Sequence, residues 1–147
     1  MTIEEAIRQS YIAQGLSNQD IQLLISLCHV RAFDSGDTVI TMDEPGQELM
    51  ILLEGSLDVE TMFGDTIAGM KPGSIFGELS VVEGGKRTAN VMATGPTTVA
   101  VISGDRLLKE FEANPNLGMV IMRNICRLLS ERLRSSNRQL GAVLALY

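Results

Sequence analysis

The stretch Gly73-Ser74-Ile75-Phe76-Gly77-Glu78-Leu79-Ser80-Val81-Val82-Glu83-Gly84-Gly85-Lys86-Arg87-Thr88-Ala89 carries the densest chemical information in the chain. Its pattern predicts that one strand ends at Phe76 and the next begins at Thr88. Between them, Gly77-Glu78-Leu79-Ser80 is predicted to form a short helical turn. A glycine at a helix start lets the backbone approach a ligand closely, and unsatisfied N–H groups there attract an anion. Arg87 adds a bidentate donor suited to a phosphate. Glu78 is acceptor-only when ionised, which suits hydroxyl donors such as those of a ribose. An acid and an arginine beside a backbone anion nest are what a sugar-phosphate ligand needs. A plainer reading pairs Glu78 with Arg87 in a surface loop and makes Gly84-Gly85 an ordinary turn. The segment is not a nucleotide-triphosphate loop: Ser80 stands where the first glycine is required, and Arg87 where Ser or Thr is.

Outward from this stretch, residues 30–33, 38–42, 49–53, 57–62, 66–70, 88–93 and 97–102 form short apolar runs rich in β-branched residues. Ser35-Gly36-Asp37, Glu44-Pro45-Gly46, Glu54-Gly55, Phe63-Gly64-Asp65, Lys71-Pro72-Gly73 and Gly95-Pro96 separate them. Short strands at regular spacing with turn chemistry between them predict a barrel or sandwich. The flanks have a helical period. Residues 3–27 are predicted helical, with Ser17 as a cap and Asp20 three residues on. A short helix over 105–113 is stopped by Asn114-Pro115, and a long one follows from about 116 to near 147. The expected fold class is α+β: one domain over 1–147, with an N-terminal helical segment (1–28), an antiparallel β-roll of the jelly-roll type (29–103) and helices over 104–147.

The final helix would span about 45 Å, too long for one small roll to cover. Met122, Cys126, Leu129, Leu133, Ser136, Leu140, Val143 and Tyr147 recur at alternating steps of four and three, the seam of a two-helix coiled coil. A helix lying wholly on the barrel would explain Ile121, Ile125 and Leu128, but not a seam that continues to the end. The expectation is that the first half packs on the roll and the second half pairs with a second copy, giving a homodimer.

Composition removes whole classes of function. Hydrophobic residues make up 45% and charged residues 20% of the 147, so the chain is neither disordered nor a coiled coil throughout. No run approaches the roughly 18 apolar residues of a membrane span. Met1-Thr2-Ile3-Glu4-Glu5 carries acid where a secretory signal carries base, so the expected location is the cytoplasm. A net charge of −6 opposes binding to phosphate backbones, and four Phe, two Tyr and no Trp make no base-stacking platform. His29, the single histidine, excludes a multi-histidine metal centre. Cys28 and Cys126 have no metal or redox spacing and are expected to be reduced and buried.

Phe76-Gly77-Glu78-Leu79-Ser80 followed by Arg87-Thr88-Ala89, with the arginine ten residues after the glycine, resembles the phosphate-binding cassette of the cyclic-nucleotide-binding domain family, of the catabolite activator and protein kinase A regulatory subunit type. The resemblance covers nearly the whole chain. Phe33-x-x-Gly36, Gly46, Leu52-Leu53-Glu54-Gly55-Ser56-Leu57 and Lys71-Pro72-Gly73 fall where the glycines of the family's roll fall, and the helices follow the family's order.

The resemblance implies roles for ten residues. Glu78 would accept from the ribose 2′-hydroxyl. Arg87 would pair with the cyclic phosphate, helped by backbone N–H groups from Leu79 and Ser80 and by the Thr88 hydroxyl. Gly77 would permit the close turn, and Val59 and Ile67 would line the apolar part of the pocket. Ser136 and Asn137 match the place on the long helix that touches the purine, from its own or the facing subunit. Alternatively, Ser136 only tunes helix register. Cyclic AMP is favoured over cyclic GMP, with no further cofactor and no metal. The helix-turn-helix that follows the long helix in the family's transcription factors is not expected within this chain, so no direct DNA binding is expected, and Arg123, Arg127, Arg132, Arg134 and Arg138 are expected to be solvated or ligand-facing.

The leading expectation is thus a regulatory sensor of a cyclic nucleotide that relays binding through its last helix to a protein partner. A dimerising or scaffolding roll that binds no nucleotide is the alternative. Retention of both Glu78 and Arg87 argues against it, and the scarcity of histidine and cysteine argues against an enzyme.

Overall fold

The computed structural model describes the backbone of residues 1–144 and their side chains except at 67–68 and 139–144. Eight strands form two four-stranded antiparallel sheets. The first has β1 (Cys28–Phe33), β8 (Thr97–Ser103), β3 (Glu48–Glu54) and β6 (Ile75–Phe76) in the order β1-β8-β3-β6. The second has β2 (Thr38–Ile40), β7 (Asn90–Ala93), β4 (Leu57–Glu60) and β5 (Thr66–Met70) in the order β2-β7-β4-β5. This is the roll expected from the spaced apolar runs.

The period-two alternation of strands divides the core in two. On β3, Met50 and Leu52 point between the sheets and meet Val99 and Val101 of β8, with Ile40, Leu57, Phe76, Val91 and Ala93. The intervening Leu49, Ile51 and Leu53 point the other way, to a second cluster formed with the helices. A strand covered on both faces must be apolar at every position, which is why 49–53 reads as a continuous run rather than an alternating one.

The helical flanks form the outer layer: α1 (Ile3–Gln9), α2 (Asn18–Leu27), α4 (Gly104–Ala113) and α5 (Pro115–Leu144), with α3 (Glu78–Glu83) inside the roll sequence. The predicted helix over 3–27 is interrupted. A 3₁₀ turn occupies Tyr11–Ala13, Gly15 adopts φ +80°, and α2 restarts behind Ser17, whose Oγ accepts from the Asp20 N–H at 3.2 Å. Ser10 Oγ donates to Ile7 O at 2.6 Å, a local bond that satisfies the end of α1 instead of prolonging it. At the other flank, Asn114 Oδ1 caps α5 by accepting from the Leu117 N–H, with Pro115 at the position where a missing N–H costs nothing.

Leu117, Ile121 and Ile125 of α5 are buried in the helical layer of the core. Buried Asn124 pins the helix by donating from Nδ2 to Ile12 O at 3.0 Å and to Gln14 O at 2.8 Å. The first half of α5 therefore packs on the body, chiefly against α4 and the 3₁₀ turn, where the expectation placed the roll itself beneath it. From Glu131 to Arg138 the helix is exposed, Leu133 at 61%. Of the predicted seam, Leu140 and Val143 lie outside the described side chains and Tyr147 outside the described residues.

The cysteines correct one expectation. Cys126 is exposed and Cys28 half-buried, both as free thiols. Cys126 lies on the seam, away from the face that carries Ile121 and Ile125, and packing on the body does not reach it. No described helix is long and apolar enough to cross a membrane.

Candidate functional site

Between α3 and the second sheet lies a cavity of about 350 Å³, lined by Ile40, Val59, Met70, Phe76, Gly77, Glu78, Leu79, Ser80, Arg87, Thr88, Ala89, Val91 and Arg132. The chain enters it through Gly77, which adopts φ +82° immediately before α3. A Cβ there would stand 2.7 Å from Glu48 O and 2.9 Å from Arg87 Nη1, so only glycine fits. Gly77 supplies no side-chain cap, which leaves the first-turn N–H groups of α3 without the usual oxygen partner.

Arg87 is buried, at 7% exposure. Its Nη2 donates to Glu48 O at 3.1 Å and its Nη1 to Gly77 O at 3.4 Å. Its backbone is clamped as well: Arg87 N–H donates to Glu44 O at 2.9 Å, and Arg87 O accepts from Asp43 N–H at 3.0 Å. Gly46 packs against the guanidinium, where any side chain would collide with it. No carboxylate pairs with Arg87 among the described residues. Burial lowers its pKa from the ordinary arginine value, and the negative charge of Glu48 opposes that shift. A desolvated cation whose neighbours are carbonyl oxygens is a site for an anion.

Glu78 is also buried, at 3% exposure, but it has a partner. Arg132 of α5 donates to Glu78 Oε1 through Nη1 and to Ile75 O through Nη2, the latter at 3.1 Å. The simple pairing of Glu78 with Arg87 in a surface loop is therefore not what the structure contains. Both groups are buried, with separate partners.

Seven of the ten residues singled out in the sequence line one cavity: Val59, Gly77, Glu78, Leu79, Ser80, Arg87 and Thr88. Ile67 pairs in register with Val59 across β4 and β5, and its side chain is outside those described. Ser136 and Asn137 are exposed on α5 and do not line the cavity, which meets the helix at Arg132. Sequence reasoning did not single out Ile40, Met70, Phe76, Ala89 and Val91. Val91 is the register partner of Val59, so alternation within the second sheet marks it once the pairing is known. Arg132 is one of five arginines whose place on the helix predicts a solvated or ligand-facing side chain. The other four, Arg123, Arg127, Arg134 and Arg138, are exposed.

The cavity of this β-roll is mainly apolar and carries an acid, a buried arginine with no carboxylate partner among the described residues and a glycine-led turn, chemistry that suits a small anionic, hydroxylated ligand. A family model described as the cyclic nucleotide-binding domain matches residues 30–114. The CRP-like cAMP-activated global transcriptional regulator of Mycobacterium tuberculosis is 31% identical over 145 residues, covering 95% of this chain and 62% of that protein. Glutaminase 1 of Bradyrhizobium diazoefficiens is 31% identical over 130 residues, 86% of this chain but 20% of that enzyme. Among solved structures, a cyclic nucleotide-binding domain from Methylobacillus flagellatus superposes with a TM-score of 0.79 at 27% identity, covering 93% of this chain and 79% of that one. The chain belongs to the cyclic nucleotide-binding domain family. It spans about a fifth of the glutaminase and about three fifths of the regulator.

Proposed function

We propose that this chain is a regulatory module that senses a cyclic nucleotide, cyclic AMP in preference to cyclic GMP, and relays occupancy through α5. The observation that carries the reading is Arg87: a buried guanidinium with no carboxylate partner among the described residues, in the wall of a cavity that also holds Glu78. A cavity of about 350 Å³ suits a mononucleotide. In this reading Arg87 and the α3 backbone N–H groups of Leu79 and Ser80 hold the cyclic phosphate, Thr88 adds its hydroxyl, and Glu78 accepts from the 2′-hydroxyl. Val59 and Ile67 would line the apolar part of the pocket. The preference for cyclic AMP rests on the likeness to the cAMP-activated regulator of M. tuberculosis.

The assembly is a homodimer formed by the second half of α5, acting in the cytoplasm on a downstream protein and not on DNA. Leu133, exposed on the predicted seam, supports this, because pairing with a second helix would cover it. Pairing along the seam would also bring Ser136 and Asn137, exposed on one chain, beside a bound base. A second reading, a scaffold that binds no nucleotide, is favoured by one observation: Glu78 already has Arg132 as a partner. Isothermal titration with cyclic AMP and cyclic GMP separates the two. Tighter binding of cyclic AMP is expected; no heat with either nucleotide leaves the scaffold, and tighter cyclic GMP reverses the base preference. In sedimentation the parent is expected to be a dimer and the Leu133→Glu, Leu140→Glu variant a monomer. A variant that remains dimeric would place the interface elsewhere.

A further inference from the structure

Arg87 stands in the wall between two cavities. Behind it, on the side away from Glu78, lies a second space of about 250 Å³ bounded by Glu44, Gly46, Gln47, Glu48 and Arg87 itself. Two acids thus sit at the back of the one buried cation that faces the ligand cavity. Glu48 is the closer concern, because its own carbonyl already holds Arg87 Nη2 and its charge acts on the guanidinium. Left free, its carboxylate would have both the space and the electrostatic incentive to take Arg87 as an ion-pair partner.

It is not left free. Glu48 and Arg31 emerge on the same inward side of the first sheet. Glu48 alternates with Met50 and Leu52 on β3, and Arg31 is in register with Val99 on β8. Arg31 Nη2 donates to Glu48 Oε1 at 3.1 Å and Nη1 to Oε2 at 3.2 Å, a fork that occupies both carboxylate oxygens. Neither Arg31 nor Glu78 is among the residues bounding the rear space, and Arg31 does not line the ligand cavity.

We propose that Arg31 is a positioning residue for the anion site: by holding the Glu48 carboxylate in a bidentate pair, it keeps an internal competitor away from Arg87 and leaves that guanidinium available to an anionic ligand. The role rests on the cyclic-nucleotide reading for its ligand, but the competition itself is a property of the empty protein. A carboxylate that pairs with Arg87 from behind satisfies the same charge that a phosphate would satisfy from the front. Each anion excludes the other in proportion to its strength.

The test is a double-mutant cycle read in two ways. In titration with cyclic AMP, Arg31→Ala is expected to weaken binding about three- to fivefold, the upper scale of a partly exposed ion pair. In the Glu48→Gln background the same change is expected to alter affinity by less than about twofold, because the competitor is gone. Equal losses in both backgrounds would show that Arg31 acts through packing or register, and no loss in either would show that Glu48 does not compete; both overturn the proposal. The second reading needs no nucleotide. The Arg87 Nε–Hε signal in a proton–nitrogen correlation spectrum, identified by its loss in Arg87→Lys, is expected to shift in ligand-free Arg31→Ala and to return when Glu48→Gln is added. An unmoved signal overturns the proposal. If the parent protein binds no cyclic nucleotide, the functional reading falls, and the spectrum still decides whether Arg31 guards Arg87.

Discussion

Replacing Arg87 by Ala separates binding from folding more sharply than any other change in this chain. In the folded protein the guanidinium gives two hydrogen bonds, to Glu48 O at 3.1 Å and to Gly77 O at 3.4 Å, the second long and weak. Losing them leaves carbonyls short of a donor, at a cost of about 1–3 kcal/mol for a buried group. Removing the side chain also removes a cation that burial disfavours and no carboxylate compensates, which returns part of that cost. The net change in unfolding free energy is expected to be about 1 kcal/mol or less, within the range of an ordinary substitution. The effect on binding has no such offset. A phosphate paired with a desolvated arginine loses its counter-charge, and truncating one partner of such a pair typically costs on the order of 2–5 kcal/mol. That corresponds to about thirtyfold to several thousandfold in affinity. Titration calorimetry with cyclic AMP, beside thermal unfolding of the same samples, measures both quantities. Retained affinity in a folded Arg87→Ala variant would refute the assignment of the anion site. A collapse of stability would refute the argument that the unpaired charge is a burden on the empty protein.

Glu78→Gln keeps one carbonyl oxygen for the sugar, so its loss is smaller, about 1–2 kcal/mol, and it should narrow the preference for ribo over 2′-deoxy ligand; equal losses for the two nucleotides would show that Glu78 does not read the 2′-hydroxyl. Arg132→Ala removes the bridge from α5 to Glu78 and Ile75, and is expected to leave binding within about tenfold, the pair being half exposed on the arginine side, while abolishing any ligand-induced change in hydrogen exchange over residues 126–138. An exchange response that persists in this variant would place the relay elsewhere. The Cys28 thiol, pushed up to about 11 by burial, binds its proton more tightly folded than unfolded, so its contribution to stability is complete below about pH 9 and is lost as pH rises through about 11. Unfolding free energy should fall over that interval, and less so in Cys28→Ser; parallel profiles for the two proteins would contradict the shift.

The roll was legible because its signals are local. Strand runs such as 66–70 and 97–102 are bounded by Gly or Pro turns, and β5 and β8 fall on those residues within one position. The cassette was legible for the same reason: Gly77, Glu78 and Arg87 lie within one connection, and their meeting needs only a short helix between two strands. What stayed hidden depends on contacts distant in sequence. Arg132 reaches Glu78 across 54 positions, and nothing in its neighbourhood separates it from four other arginines on the same helix. The break in the predicted N-terminal helix turns on Gly15 at φ +80° and on Ser10 bonding its own turn, effects too small to outweigh the apolar spacing across them. Cys126 was expected inside because cysteine is usually buried, but it stands on the side of α5 turned away from the body.

The two halves of α5 are held by different physics, and the candidate site touches the helix near the boundary between them. Up to Ile125 the helix is fixed by buried Leu117, Ile121 and Ile125 and by the two bonds from Asn124, so moving it would expose core. From Ser130 to Arg138 its side chains are exposed, and among the described residues this stretch is attached through Arg132 to Glu78 and to Ile75, and through Glu131 accepting from Tyr11 Oη at 2.7 Å. A ligand that claimed Glu78, as proposed above, would therefore act on the segment with the fewest described buried contacts. A shift there needs only that the ligand bind one arrangement of Arg132 better than another. In the proposed relay the half held by core packing would supply the fulcrum, and the half beyond Ser130 the surface on which a second helix would register the change.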